Sequence, residues 1–361
     1  MTEALPKKSA PFKTILDALL DNTRVFPPVY LHRFSDLAGA ELKALKDIWE
    51  KIPDERRTSL VEDLEDLYDS DTLLLFEEIG RIAIGDELPA VRAGAIRLLW
   101  DYQGKDLVPV YQLLLENDPD EIVRAQSASI LGQYVYLGEL GKIPAELHRV
   151  IEDTLLQTVE SGEARLVRRR ALESLGFSSR DEVIPLIQNA FDSGDFGWMA
   201  SALFAMGRST DERWAANVMH MIDHHEAEVK LEAVRAAGML ELDSARKFLL
   251  QMVKAGIEDA DLRSTVAWSL SQIGGEQVAG ALDKLLSMAD DDEETEFIQT
   301  AIDNLDFKQG LDNFELMDFS PARHAHFQVS DITNNSQVDD EDDDEIEFDI
   351  DPQDEDEEDD E

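Results

Sequence analysis

A ten-residue pattern recurs through most of this chain and constrains its fold more than any other feature. Examples are VRAGAIRLLW, VRAQSASILG and VRRRALESLG. The copies begin at Val91, Val123, Val167, Trp198, Val229, Leu262 and Phe297. Their starts are separated by 32, 44, 31, 31, 33 and 35 residues. A period of this length indicates supersecondary units that are stacked in an array.

Each copy has the spacing of an α-helix. In the third copy, Val167, Ala171, Ser174 and Leu175 fall at i, i+4, i+7 and i+8, which is one helical face. A small residue usually occupies the fifth place, where it would allow a neighbouring helix to approach. Four copies have glycine at the tenth place, which predicts a left-handed helix end. These glycines are Gly132, Gly176, Gly207 and Gly238.

A second amphipathic segment follows these helices, as in DLVPVYQLLLEND and DEVIPLIQNAFDSGD. Pro109 and Pro185 both lie 18 residues after the start of their copy. Proline is tolerated in the first turn of a helix, where its missing N–H has no partner to lose. Each unit is therefore predicted to be an antiparallel helix pair that buries its apolar stripe by stacking. The predicted fold is all-α, an α-solenoid of about seven such pairs.

Residues 54–306 resemble the HEAT-like repeats of the phycobilisome-lyase type, through the motif D-x-x-V-R-x-x-A-x-x-x-L-G. The resemblance implies a HEAT-like superhelix. It implies no single function, because such repeats occur in scaffolds, transport factors, lyase subunits and a di-iron hydroxylase. The lyase subunits work in pairs on a tetrapyrrole that is attached to a protein cysteine. A phycobilin-lyase-like subunit acting on a tetrapyrrole-protein conjugate is therefore the alternative to a scaffold.

The chain divides into four predicted parts. Residues 1–53 form an N-terminal helical cap, 54–306 the repeat solenoid, 307–338 a linker and 339–361 a disordered acidic tail. About twelve extra residues, centred on YVYLGELGKIPAELH, separate the copies at Val123 and Val167. This insertion is expected to form a loop on one edge, which either contacts a partner or is only a longer connection.

The charge of the chain restricts its partners. The formal net charge is −46, and 18 of the residues 339–361 are Asp or Glu. The remainder of the chain still has 61 acids against 33 bases. Such a surface repels nucleic-acid phosphates, so the predicted partner is a basic protein or peptide and not nucleic acid. No apolar run approaches the roughly 18 residues of a membrane helix. The N-terminal segment MTEALPKKSAPFKTILDALL shows no secretory signal, so the chain is expected to be cytoplasmic, without membrane contact.

A cation occupies the second place of five copies, and an acid lies within six residues before each. We call these cations the cation ladder. They are Arg92, Arg124, Arg168, Lys230 and Arg263. The favoured interpretation is that each cation bridges to acceptors in the turn of its own or an adjacent repeat. The alternative is a basic stripe that grips a ligand.

Two short segments are candidate partner-binding sites. RLVRRR contains Arg165, Arg169 and Arg170 in addition to the ladder residue, and it is either a docking point for an acidic peptide, including this chain's own tail, or a solvated face. In the acidic tail an apolar residue alternates with acids at three positions. These residues are Ile346, Phe348 and Ile350. Such a segment can add to the sheet edge of a partner or dock in a basic-rimmed groove; otherwise it only keeps the chain in solution.

The sequence contains no evident catalytic, cofactor-binding or metal-binding motif. His220 and His224 are four residues apart, a spacing that can bind zinc, but they are interpreted as a solvated helix end. No phosphate-binding loop, dinucleotide fingerprint or nucleophile elbow is present. The sequence predicts no catalytic residue, no cofactor and no metal. The predicted function is a non-enzymatic scaffold or adaptor for a protein or peptide, in which the acidic tail steers a basic partner or competes for its site.

Overall fold

The structure is a computed structural model that describes residues 10–71 and 73–316. Within these residues the secondary structure is helical throughout, with 17 α-helices and four short 3-10 helices. The α-helices are α1 Phe12–Leu20, α2 Gly39–Ile48, α3 Asp54–Ser70, α4 Glu77–Ala83, α5 Pro89–Leu98, α6 Val108–Asn117, α7 Glu121–Glu139, α8 Ala145–Glu160, α9 Arg165–Leu175, α10 Val183–Phe191, α11 Phe196–Arg208, α12 Ala215–Met221, α13 Ala227–Met239, α14 Asp243–Ala255, α15 Ala260–Ile273, α16 Val278–Leu286 and α17 Asp292–Leu316. The 3-10 helices are Pro28–Phe34, Trp49–Lys51, Lys105–Leu107 and Glu212–Trp214.

The helices form the predicted α-solenoid of antiparallel pairs. Each pattern copy is the second helix of a pair, and it contacts the helix before it, from α4 with α5 to α14 with α15. The second helices also contact one another in succession, from α5 through α7, α9, α11 and α13 to α15. Helix α17 contains the last pattern copy and packs on α15, since Asn304 donates to Ser271 Oγ at 3.1 Å. The fold prediction is therefore confirmed.

One continuous apolar core runs along the stack. The places that the pattern assigns to one face are fully buried, as Val167, Ala171 and Leu175 show. The core also includes side chains of α1 and α2, and Trp49 donates its indole N–H to Asp86 Oδ2 at 2.7 Å. No helix in the parts of the chain that the structure describes is long and apolar enough to cross a membrane.

The glycines at the tenth place have another role than the one predicted. None of the four has a positive φ, so the prediction of left-handed helix ends is wrong. They lie where successive second helices come closest. A Cβ at Gly176 would lie 2.8 Å from Ala205 Cα, and a Cβ at Gly238 would lie 2.7 Å from Ser269 Cα. The absence of a side chain allows this close packing.

The insertion and the end of the last helix also differ from expectation. The inserted residues do not form a loop; they extend α7 to Glu139, make a short turn and begin α8 at Ala145. Helix α17 continues to Leu316, into the segment 307–338 that is predicted as a linker. The acidic tail, with Ile346, Phe348 and Ile350, lies outside the described residues.

Candidate functional site

The two most buried cations of the cation ladder form internal ion pairs that support the fold. Arg92 donates to both carboxylate oxygens of Asp118, at 2.7 and 2.8 Å, and to two backbone carbonyls in the turn before its own helix. Arg263 binds both oxygens of Glu294 at 2.7 Å and also contacts Asp290 at 2.6 Å. Because the acceptors belong to the same or the next turn, the bridging interpretation is confirmed here.

The other ladder cations also bind acceptors within the protein, but none of them forms a two-bond carboxylate pair with a described residue. Arg124 donates to Glu163 at 3.0 Å, and Lys230 pairs with Asp223 at 3.0 Å. Arg168 donates to a backbone carbonyl of α8, and its guanidinium carbon lies 5.3 Å from the centre of an indole ring of α11. The basic stripe that would grip a ligand is therefore occupied by internal contacts.

Two of the acids that precede the copies act as helix caps. Asp120 accepts hydrogen bonds from the backbone N–H groups of the second and third residues after it, at 2.9 and 3.2 Å. Asp259 accepts from Leu262 N at 2.8 Å. An acid at this place satisfies N–H groups that have no partner within the helix and favours the positive end of the helix dipole.

An open cavity of about 720 Å³ crosses the second helices of the later repeats. We call it the aromatic groove. Its lining changes from one helix to the next but is dominated by rings and guanidinium groups. These residues are Phe177, Phe204, Arg208, Arg235, Trp268 and Phe297. A concave, mostly apolar surface with a few convergent polar groups is typical of a binding site.

The groove is built from two places of the repeat pattern. The seventh place supplies Phe204, Arg235 and Trp268, and the eleventh place supplies Phe177 and Arg208. These places are turned away from the buried stripe, because 3.6 residues make one helical turn. Stacking brings the same two places of consecutive repeats side by side. Bulky residues at an outward place of successive copies are the signal in the sequence that could have located the groove.

Arg208 is the principal polar group of the groove. Its guanidinium carbon lies 4.2 Å from the ring centre of Phe204 and 4.6 Å from that of Phe177. One N–H donates to the backbone carbonyl of Glu173 at 3.1 Å. Among the described residues it has no carboxylate within ion-pair distance. Burial lowers the pKa of Arg208 to about 10, so the group is still a cation at neutral pH.

A charged cluster borders the groove, and we call it the polar rim. Arg169 donates to Ser201 Oγ at 2.7 Å and to Glu228 at 2.6 Å, and Ser201 in turn donates to Glu173 at 2.6 Å. Arg170 also pairs with Glu173. The structure therefore brings the predicted docking residues Arg169 and Arg170 together beside the groove. Both already have carboxylate partners.

The remaining members of the rim are Arg235 and Glu232, which pair at 2.9 Å. Burial raises the pKa of Glu232 to about 7, although Arg235 opposes the shift. Arg165, the third basic residue singled out from RLVRRR, lies apart from the groove lining and pairs with Asp195. Its side chain is more than half exposed.

The histidines occupy two different environments. His220 is exposed near the end of α12, and His224 lies beyond that helix, where its Nδ1 accepts from Glu226 N at 3.1 Å. His220 fits the interpretation as a solvated helix end, whereas His224 is half-buried and its ring contacts those of Phe196 and His225. His148 instead lies with Glu139 and Glu152 in a group whose potential ligand atoms are all within 4.8 Å of one another. This group could hold a metal ion, and we call it the insert cluster.

The fold and the groove define the class of this protein as an α-solenoid of helical repeats. A family model described as HEAT repeats matches residues 215–306, which confirms the predicted HEAT-like repeats in that part of the chain. A search of the curated proteins gave no match.

Solved structures with a similar fold include a chain of the complex of CpcE and CpcF of phycocyanin lyase from Nostoc. It is 18% identical, has a TM-score of 0.44, and the match covers 63% of this chain and 94% of that one. Human deoxyhypusine hydroxylase is 14% identical with a TM-score of 0.32, over 73% and 95% of the two chains. Kap95p, in a structure with RanGDP, is 10% identical with a TM-score of 0.38, over 81% and 45%. At these values none of the likenesses carries an argument about function.

Proposed function

We propose that this chain is a non-enzymatic scaffold that binds a peptide segment of a partner protein in the aromatic groove. The segment is expected to carry bulky apolar side chains beside a carboxylate. The observation that carries the proposal is the environment of Arg208. This cation lies between two aromatic rings and lacks a carboxylate partner among the described residues.

The apolar part of the proposed ligand follows from the groove lining. Trp268 and Phe297 form part of the cavity wall, and Phe297 is 45% exposed. Covering an aromatic side chain contributes roughly 1.5–3 kcal/mol, and aromatic and arginine residues commonly dominate the energy of protein interfaces. A groove with these residues supports binding of an extended apolar segment.

The acidic part of the ligand follows from electrostatics. The desolvation of Arg208 is only partly offset by the ring faces, one carbonyl and the nearby charges of Glu173 and Glu232, so a carboxylate that enters the groove gains a charge-assisted hydrogen bond. Guanidinium groups bind carboxylates with two parallel hydrogen bonds when the geometry allows. Arg208 therefore favours an Asp or Glu side chain, or the C-terminal carboxylate of a peptide.

Peptide display tests this proposal. Random peptides are selected on the full chain, and the dissociation constant of each enriched synthetic peptide is measured by fluorescence anisotropy. We expect apolar sequences that contain Asp or Glu. Phe297→Ala should weaken binding about tenfold or more, since 1.4 kcal/mol corresponds to a factor of ten. Arg208→Gln should weaken binding at least as much, because it removes the partner of a buried charge.

Phe248→Ala and Arg149→Gln are the matched controls. Phe248 on α14 is also 45% exposed but is outside the groove lining, and Arg149 on α8 is paired with Glu146. Neither change should alter the affinity of the selected peptides. Enrichment only of peptides that lack Asp and Glu, or equal loss of affinity in the groove and control variants, would contradict the proposal.

The tail role predicted from the sequence is part of the same proposal. Removal of residues 339–361 should slow binding of a basic partner at low salt if the tail steers it, since exposed charges are screened beyond about 8 Å at physiological ionic strength. If the tail competes for the partner site, its removal should instead increase the affinity of the acidic peptides. Unchanged kinetics and affinity would reject both roles. Incubation with a bilin tests the lyase-like alternative, which predicts a stable visible absorbance band on the protein.

A further inference from the structure

The insert cluster combines three groups that are chemically suited to a metal ion. Glu139 lies at the end of α7, and His148 and Glu152 are one helical turn apart on α8. His148 Nε2 is 3.5 Å from Glu152 Oε1 and 3.9 Å from Glu139 Oε1. Zinc binds nitrogen and oxygen ligands at about 2.0–2.2 Å, which places ligand atoms roughly 3–4 Å apart. The two separations from His148 fit that range, and all three ligand atoms lie within 4.8 Å of one another.

The surroundings hold the three side chains in position. A Cβ at Gly138 would overlap the imidazole ring of His148, so glycine allows the ring to pack directly against α7. Ser178 donates its hydroxyl to Glu152 Oε1, and Ser179 N donates to Glu139 Oε1 at 2.7 Å. Hydrogen bonds to ligating carboxylates are the usual outer shell of a metal site. Three separate contacts thus orient this cluster, from the two helices of the insertion and from the loop after α9.

The imidazole nitrogen is not satisfied by the protein. His148 Nε2 is inaccessible to solvent and has no hydrogen-bond partner among the described residues. An unsatisfied buried polar atom is unfavourable, and each such atom in a native structure requires an explanation. Two carboxylates converge on the same point, and Glu152 is itself buried. A cation between the three groups would satisfy the nitrogen and offset the repulsion between the carboxylates.

We propose that Glu139, His148 and Glu152 bind a divalent transition-metal ion, with zinc as the reference ion. One imidazole and two carboxylates form a mixed donor set that suits zinc and its neighbours in the first transition row. Three protein ligands leave one position of a tetrahedral ion for water. Glu139, Ser178 and Ser179 also line a pocket of about 510 Å³, through which water reaches the ion. The ion clamps the two inserted helix ends to the next repeat.

Zinc titration of the full chain tests the site. The protein is stripped with EDTA and titrated with zinc chloride by calorimetry, and cobalt chloride is used in parallel because its visible absorbance reports the coordination geometry. We expect one tight site per chain. The loss of affinity in His148→Ala and Glu152→Gln should exceed the roughly 10–100-fold that a missing outer-shell partner costs. Zinc should also raise the unfolding temperature of the wild type and leave that of His148→Ala unchanged.

His220→Ala is the matched control, since this histidine is exposed on α12 and distant in sequence from the insertion. It should keep the tight site and the cobalt spectrum. Weak binding to the acidic tail is common to all variants and does not affect the comparison. Glu152→Gln preserves the shape of the side chain, so it remains informative if His148→Ala fails to fold. A wild type that binds zinc only as weakly as both variants would overturn the proposal.

Discussion

Arginine has opposite environments in the cation ladder and in the aromatic groove. Arg263 in the ladder is almost fully buried and binds Glu294 through two hydrogen bonds, with Asp290 as a third acceptor. Arg208 in the groove contacts two aromatic rings and one carbonyl. Both belong to second helices of the same repeat type. The second place of the pattern faces the turns of neighbouring repeats, whereas the eleventh faces the open cavity.

This difference separates the part of the repeat that supports the fold from the part that is free to bind. A buried charge needs partners, because desolvation is expensive unless hydrogen bonds and opposite charges offset it. The ladder supplies them internally, and hydrogen bonds to Glu294 hold the pKa of Arg263 above its ordinary value. In the groove, burial lowers the pKa of Arg208 to about 10. The carboxylates that contact Arg263 therefore have no counterpart in direct contact with Arg208 in the described part of the chain.

The largest expected effect is on stability, when a ladder arginine is removed. Arg263→Gln leaves the buried carboxylate of Glu294 without its cation, and breaking a buried pair in this way typically costs about 3–5 kcal/mol. Arg208→Gln should cost about 1–2 kcal/mol, less than Arg263→Gln, because it removes a carbonyl contact and two cation–π contacts but also relieves the desolvation of the guanidinium. Urea denaturation followed by circular dichroism measures both free energies of unfolding.

An exposed ion pair gives the reference for this comparison. Arg213 is about half exposed and pairs with Asp211, and exposed pairs typically contribute about 0.2–1 kcal/mol. Arg213→Gln should therefore cost no more than Arg208→Gln. If Arg208→Gln destabilises the chain as strongly as Arg263→Gln, then Arg208 supports the fold and the contrast between the two regions fails.

The sequence predicted the paired helices and the stack, because the buried places recur with helical spacing in every copy. It could not assign the glycines. A glycine near the end of a helical pattern looks the same in the sequence whether it ends the helix or allows a neighbouring helix to pack closely against it. Only the three-dimensional neighbour, such as Ser269 beside Gly238, decides between the two. The insertion was misread for a related reason, since nothing local distinguishes a loop from two lengthened helices.

The candidate sites were less predictable than the fold. A run of arginines is conspicuous in sequence, so Arg165, Arg169 and Arg170 were singled out. The groove instead combines one or two residues from each of several repeats, and its signal appears only when the copies are aligned by place. The insert cluster had one local sign, the i,i+4 spacing of His148 and Glu152 on α8. The third member, Glu139, joins the cluster only because the end of α7 packs beside α8, and the sequence does not show this contact.

The second prediction concerns the close packing of α13 against α15 beneath the groove. Gly238 lines the pocket next to the groove, and its backbone is close to Ser269 on the adjacent helix. Gly238→Ala forces these two helices apart and should destabilise the chain by about 1–3 kcal/mol, the usual cost of overpacking. Gly280→Ala in α16 is the control, because a Cβ there meets nothing within 4 Å.

The control should change stability in the opposite direction. Alanine is favoured over glycine within a helix by roughly 0.5–1 kcal/mol, so Gly280→Ala should raise the free energy of unfolding. The same urea experiment measures both variants. If Gly238→Ala were also stabilising, the second helices would not be in the close contact on which the shape of the groove depends.

The smallest expected effect concerns the protonation of the polar rim. The carboxyl of Glu232 is buried beside Arg235, and Glu173 and Glu228 add to the upward shift of its pKa to about 7 from the ordinary 4.5. Between these values the folded chain binds a proton that the unfolded chain does not. The resulting stabilisation is complete below about pH 4.5 and is lost as the pH rises through about 7. For this group the loss between pH 6 and 8 is about 1 kcal/mol.

Glu232→Gln should remove this component of the pH dependence, because an amide does not titrate. The test is the difference in unfolding free energy between pH 6 and pH 8, measured in wild type and variant. The wild type should lose about 1 kcal/mol more than the variant. Glu62→Gln is a suitable control, since Glu62 is exposed on α3. An equal loss in wild type and Glu232→Gln would mean that Glu232 is already ionised at pH 6. The rim would then resemble the ladder in holding its charges in fully compensated pairs, and Arg208 would stand alone as the uncompensated group of the groove.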